Sequence, residues 1–125
     1  MANLGPKAGE ANHFRRYAPE KLPYALDRFG NEMNRLFGVM NTRLKQHRFL
    51  AGDYSIADMA CVGWIRLFER QGETFKGFPY LRRWLKAVRA RPAVQRGMHV
   101  RVEEASRVDV SDLKVRAVLF GQKAR

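Results

Sequence analysis

Cysteine is almost missing from this 125-residue chain, which holds one, Cys61. A single thiol excludes an intrachain disulfide framework and any zinc site built from several cysteines. Acidic residues are also few, 12 Asp and Glu against 24 Lys and Arg, for a formal net charge of +12. Long apolar runs are missing too. The longest uncharged one, Met59 to Ile65, is far short of the ~20 residues that cross a bilayer as a helix. No basic start followed by an apolar core opens the chain, MANLGPKAGEANHF, so no secretory signal is expected. The expectation is one soluble domain in the reducing cytoplasm, with no membrane partner.

What is present is helical periodicity. Leu22, Leu26, Phe29, Met33, Leu36, Phe37, Met40 and Leu44 recur at steps of three and four, one apolar stripe along a helix. The spacing predicts a long helix from Pro19 to about Gln46, with Pro23 leaving its start uncertain by a turn. Before it, the first 18 residues, with Asn3, Gly5, Pro6 and Gly9, read as an irregular or broken helical start. Beyond a turn at Ala51-Gly52-Asp53, Ser55 and Asp58 have the spacing of a capping box, with Tyr54 and Met59 placed for a hydrophobic staple. An apolar, centrally buried helix is expected from there to about Gln71. Pro79 opens a third helix whose apolar positions are Leu81, Trp84, Leu85 and Val88. Pro92 starts a short fourth helix through Met98, and a last segment runs from Asp109 to Phe120 with Ser111 or Asp109 as cap. No strand is expected. The chain reads as all-α.

Catalytic signatures are lacking. His13, His47 and His99 have no metal-ligand neighbours at helical spacing, so no metal is expected. There is no GxSxG, GxGxxG or GxxxxGK[ST] run. Cys61 lies between Ala60 and Val62, the setting of a buried structural thiol and not of a nucleophile. His13, Phe14 and Tyr17 form a polar-aromatic cluster ahead of the long helix. It suits a pocket wall for a hydrophobic substrate or a satisfied core corner, and spacing is compatible with both. Arg28, beside the stripe, is either a flanking charge paired to Glu32 or a bidentate clamp for a carboxylate. Between Arg82 and Arg101 seven cations occur without an acid, which suits a solvated face, an acidic partner or nucleic acid.

Four segments carry a resemblance: RYAPEKLPYALDRF (16–29), NRLFGVMNTRL (34–44), FLAGDYSIADMA (49–60) and FPYLRRWLKAVRARPAVQRG (78–97). In order, they resemble the C-terminal domain of glutathione transferases, closest to the bacterial disulfide-reductase-like Nu class. VLFGQ (118–122) is similar to that family's C-terminus. The resemblance implies a glutathione-transferase C-terminal-like helical bundle over residues 1–98, beginning inside its first helix, and a charged tail with a short helix over 99–125. It implies Ser55 and Asp58 as structural capping residues, Arg28 as the contact to glutathione carboxylates, and His13, Phe14 and Tyr17 as the substrate side. Glu10-Ala11-Asn12-His13 departs from the family's frequent Gln-Asn-His-His.

The family's catalytic group and most glutathione contacts belong to an N-terminal thioredoxin-like domain that this sequence does not contain. The expectation is therefore a chain with no catalytic residue of its own and negligible turnover alone. Completed by such a domain, it would bind glutathione and act on a hydrophobic electrophile or a disulfide, as a homodimer. The alternatives are a stand-alone, non-catalytic protein-interaction module and, last, a basic nucleic-acid-binding domain.

Overall fold

Two prolines set where the long helix begins. In the computed structural model, which describes residues 3–100, 102, 104 and 108–121, α1 spans Leu4–Arg16 and α2 spans Pro23–Gln46. Residues 18–22 lie between them outside any helix. Ala18 precedes Pro19 and Leu22 precedes Pro23, and a residue before proline is pushed out of the helical region. Leu22 accordingly takes φ −100°, ψ 101°, and Pro23 occupies the first turn. The helix thus starts at Pro23, not at Pro19.

The expected irregular start is instead a regular helix of 13 residues. Pro6 is the third residue of α1, where an N–H has no intrahelical acceptor anyway, so the ring removes no bond. The first backbone bond runs from Lys7 N–H to Asn3 O at 3.2 Å. Leu4, Gly5, Ala8 and Ala11 are buried, so the small residues form a packing face, and a Cβ on Gly9 would stand 3.9 Å from the Trp64 ring.

The remaining elements follow in order: α3 (Ile56–Ile65), a 3₁₀ turn (Phe68–Gln71), α4 (Pro79–Arg89), α5 (Pro92–His99) and α6 (Leu113–Phe120). Among the described residues there is no strand, only isolated bridges in the 49–53 turn. Gly52 closes that turn with φ 98° and an N–H to Phe49 O bond of 3.1 Å. The predicted third-helix start at Pro79 holds. Helix α6 begins later than expected, and its cap is Asp112, which accepts from Lys114 N–H at 2.7 Å. Asp109 closes the preceding turn through Ser111.

The core is made where α2, α3 and α4 meet: Met33, Phe37, Leu44, Ile65, Leu81, Trp84 and Val88 are fully buried. Each such side chain contributes roughly 1.5–3 kcal/mol of transfer free energy. Asp58, also fully buried, is the polar hub. Its carboxylate accepts from Ser55 N–H (3.0 Å), Leu50 N–H (3.1 Å) and Trp84 Nε1–H (2.6 Å). Ser55 Oγ in turn accepts from Ala57 N–H at 3.2 Å, so both halves of the predicted capping box form. Tyr54 packs on Phe49, ring centroids 5.4 Å apart, while Met59 stays 53% exposed.

Two expectations for α3 change. It ends at Ile65, and the chain continues as the 3₁₀ turn, whose Gln71 Nε2 donates back to Trp64 O at 2.9 Å. It is also not buried all round: Ile56, Met59 and Ala60, at helical spacing, are exposed. Helices α2 and α4 finish one another. Asn41 Oδ1 of α2 accepts from Tyr80 and Leu81 N–H (2.9 and 3.1 Å) at the start of α4. Arg83 of α4 donates to Leu44 O (2.6 Å) and His47 O (3.0 Å) at the end of α2. These bonds satisfy helix-end groups that no intrahelical partner serves.

Candidate functional site

The second half of α1 and the first half of α2 lie side by side, and their aromatic residues meet. His13 and Phe14 stand edge to face at 5.5 Å, and His13 and Tyr17 are 6.4 Å apart. All three predicted pocket residues are half-buried, brought together as the spacing on one helix requires. Phe29 of α2 stacks on Phe14 at 5.1 Å and 11°. From the far end of the chain, Phe120 of α6 reaches His13 (5.0 Å) and Tyr17 (5.6 Å). Arg116 ties α6 down by donating to Tyr17 O at 2.7 Å.

Arg28 is exposed, and its expected partner is taken. Arg35 holds Glu32 through both carboxylate oxygens, Nε to Oε2 at 2.9 Å and Nη2 to Oε1 at 2.8 Å. The Arg35 hydrogen bond, aided by the charges of Arg35, Arg28 and Lys7, keeps the Glu32 carboxyl below its ordinary pKa. The pairing of Arg28 with Glu32 is thus replaced, because i,i+3 and i,i+4 partners compete on one face and Arg35 supplies the bidentate geometry. Among the described residues no hydrogen bond or ion pair holds the Arg28 guanidinium. Lys7, bonded to Glu10 at 2.9 Å, places its ammonium 5.6 Å from the Phe29 ring. Phe29 therefore joins Lys7 to the aromatic cluster, and Lys7, Arg28 and Arg35 all bear on Glu32.

Behind the cluster is a polar corner. Glu73 is buried and receives Asn34 Nδ2–H at 3.3 Å. Burial pushes its carboxyl above the ordinary value, opposed by the Asn34 bond and the Arg15 charge. Gly72, at φ 82°, leaves the space that the Arg15 guanidinium fills. Among the described residues, Asn12 Oδ1 and Gln71 Oε1 are buried without a hydrogen-bond partner. Among the described residues no three His, Cys, Asp or Glu side chains converge as a metal site. The Cys61 thiol is buried, and burial pushes its pKa up, which suits an inert core thiol.

Phe120 and Arg116 were missed beside the cluster, since a contact across about a hundred positions leaves no periodic signal; the family-like VLFGQ segment contained Phe120 but not Arg116. The basic run is also redistributed. Arg83 caps α2, and the Arg91 guanidinium lies 3.6 Å over the Tyr54 ring. Arg101 lies outside the described residues.

The fold is a helical bundle in which α1, α2 and α6 bring an aromatic cluster together. Residues 14–92 match the family described as glutathione S-transferase, C-terminal domain, and the chain belongs to that family. It is 39% identical over 94 residues to the disulfide-bond oxidoreductase YfcG of Escherichia coli, covering 74% of this chain and 44% of YfcG. Disulfide-bond oxidoreductase YghU of the same organism is 41% identical over 97 residues, 71% of this chain and 34% of that protein. A glutathione transferase from Pseudomonas putida, solved with one glutathione disulfide per subunit, aligns with TM-score 0.74 at 34% identity, over 80% of this chain and 46% of that one. The chain spans less than half the length of these relatives.

Proposed function

We propose that this chain is the substrate-side half of a cytoplasmic, homodimeric glutathione transferase that conjugates or reduces an electrophile or a disulfide. A thioredoxin-like domain supplies the catalytic group and most glutathione contacts. Arg28 binds a glutathione carboxylate, while His13, Phe14 and Tyr17 line the second-substrate pocket beside it. One observation carries this reading. Arg28 is an exposed guanidinium that no hydrogen bond or ion pair holds among the described residues, one position before Phe29 of the aromatic cluster. Such a group is prepared for a bidentate carboxylate. Glutathione, with two carboxylates, offers one while its sulfur and the second substrate reach apolar surface.

The test is titration calorimetry with glutathione and glutathione disulfide, on this chain and on a fusion to a thioredoxin-like domain. The fusion binds and turns over; the chain alone shows negligible turnover. Arg28→Ala in the fusion weakens binding by about tenfold, the equivalent of roughly 1.4 kcal/mol for a lost charge-assisted contact. Full activity of the isolated chain, or an unchanged affinity in Arg28→Ala, refutes the assignment.

A second reading is favoured by the open face of α3, where Ile56 is 82% and Met59 53% exposed. Apolar surface at helical spacing invites a docking partner, and a stand-alone interaction module would use it. That reading predicts a stable protein complex indifferent to glutathione and lost in Ile56→Lys.

A further inference from the structure

A helix dipole favours acids in the first turn and cations in the last. Only half of that rule is kept where the end of α3 meets α4 and α5. Cations stand at the helix ends: Arg66 at the C-cap of α3, Lys86 and Arg89 in the last turn of α4, Arg96 in the last turn of α5. The first turns of α4 and α5 hold no acid, and the fourth residue of α4 is Arg82. From Thr74 to Val102 the chain has eight Lys and Arg and no Asp or Glu.

These cations are contiguous. Arg82, Lys86 and Arg89 make a row about 10 Å long on one face of α4, at 1.5 Å per residue, and border one hollow. Arg89 and Arg66 line the next hollow together with Gln95 and His99. Gln95 and His99 in turn border a third, with Arg96. No carboxylate is among the described lining residues of the three. Arg66, Arg82, Lys86, Arg89 and Arg96 are all exposed, and among the described residues no hydrogen bond or ion pair holds their side chains. Like charges three and four apart destabilise a helix, and only an anion from outside relieves that repulsion here. Arg83 on the same helix keeps its charge as well, because the Leu44 and His47 carbonyls it caps do not neutralise a guanidinium.

We propose that this face binds the phosphate backbone of double-stranded nucleic acid without reading its sequence. Phosphate contacts need a spaced array of exposed cations and no apolar centre. A protein partner would need such a centre, and α4 exposes no large apolar side chain. A membrane surface would need an apolar face to insert, whereas Leu81, Trp84, Leu85 and Val88 of α4 are all buried. A single strand would need free aromatic faces. Here Phe68 and Phe75 lie against one another, ring centroids 4.4 Å apart, and Trp84 is fully buried.

The test is fluorescence anisotropy of the 125-residue chain with a labelled DNA duplex of about 20 base pairs, repeated across salt. Five phosphate contacts give a slope of log K against log salt near about −4.5, roughly a five-hundredfold loss of affinity between about 50 and 200 mM. Two unrelated duplex sequences bind alike, and either strand unpaired binds more weakly. Any chain of net charge +12 attracts DNA, so two variants of equal net charge decide the place. The triple variant Arg82→Gln, Lys86→Gln and Arg89→Gln brings the slope to about −1.8 and weakens binding at least about tenfold. It unfolds at no lower temperature than the parent, since it removes like-charge neighbours. The triple variant Arg16→Gln, Lys21→Gln and Lys114→Gln, three exposed cations of α1, the α1–α2 linker and α6, keeps the affinity within about twofold. Equal losses in the two triples, or a parent slope shallower than about −2, overturn the proposal. So does tighter binding of the single strand, of poly-L-glutamate or of phosphatidylglycerol vesicles than of the duplex.

Discussion

Replacing Asp58 by Ala removes the acceptor of three donors at once: Leu50 N–H, Ser55 N–H and Trp84 Nε1–H. Each is a bond to a buried carboxylate, a class that contributes about 1.5–3 kcal/mol. Trp84 is fully buried, so its indole N–H is left without water as well as without partner. Because the three bonds share one group they do not add fully, and a loss of about 4–6 kcal/mol follows. A chain of this length has roughly 6–19 kcal/mol of total stability at ~0.05–0.15 kcal/mol per residue. Asp58→Ala therefore removes a large share of it and unfolds the domain at the lower end of that range. Asp58→Asn keeps an acceptor for two donors, sets an amide N–H against the third, and costs about 2 kcal/mol. Trp84→Phe deletes donor and bond together and costs less than Asp58→Ala. The assay is urea unfolding followed by circular dichroism at 222 nm, because Trp fluorescence would itself change in Trp84→Phe. A double-mutant cycle between positions 58 and 84 should return a coupling of about 1.5–3 kcal/mol. A loss below about 1.5 kcal/mol for Asp58→Ala, or a coupling near zero, refutes the view of Asp58 as the polar hub.

Two further outcomes follow from buried titratable groups. Cys61, whose thiol is pushed up by burial, should react with iodoacetamide at least about tenfold more slowly in the native chain than in urea, since only an exposed thiolate attacks; equal rates would contradict its place in the core. Glu73 has a folded-state pKa above its unfolded value near 4.5, chiefly through burial. The folded chain therefore holds the Glu73 proton to higher pH than the unfolded one, and stability from this group falls as pH rises through that interval. Glu73→Gln, compared with the parent by urea unfolding between pH 4.5 and 7, should lose that decline; parallel pH profiles would show that burial does not raise the Glu73 pKa.

The parts legible in the sequence were those written in short-range code. The α2 stripe, the Ser55 and Asp58 cap and the proline starts of α4 and α5 each depend on residues within a turn or two of one another. Helix α1 was misread because Gly and Pro score as breakers by propensity, whereas here the small residues are what lets α1 approach Trp64 and Pro6 sits where it does no harm. The competition of Arg35 with Arg28 for Glu32 was open to view in the spacing, but rotamer geometry decided it. The arrival of Phe120 over His13 and Tyr17 was not open, since it depends on the path of a segment that has no periodicity.

Helix α2 is a rod clasped by α4 at one end and packed on α1 at the other. Arg83 and Asn41 fix its C-terminal end against α4, while Arg28 lies thirteen residues toward the other end, ~20 Å away at 1.5 Å per residue. Over that arm a tilt of one degree moves the Arg28 backbone by about a third of an ångström. On the role proposed for Arg28, whether its guanidinium meets a carboxylate with one bond or two is thereby set at a joint that touches no ligand. Loosening Asn41 or Arg83 would act on the aromatic cluster at the far end as a change of aim, leaving its composition intact.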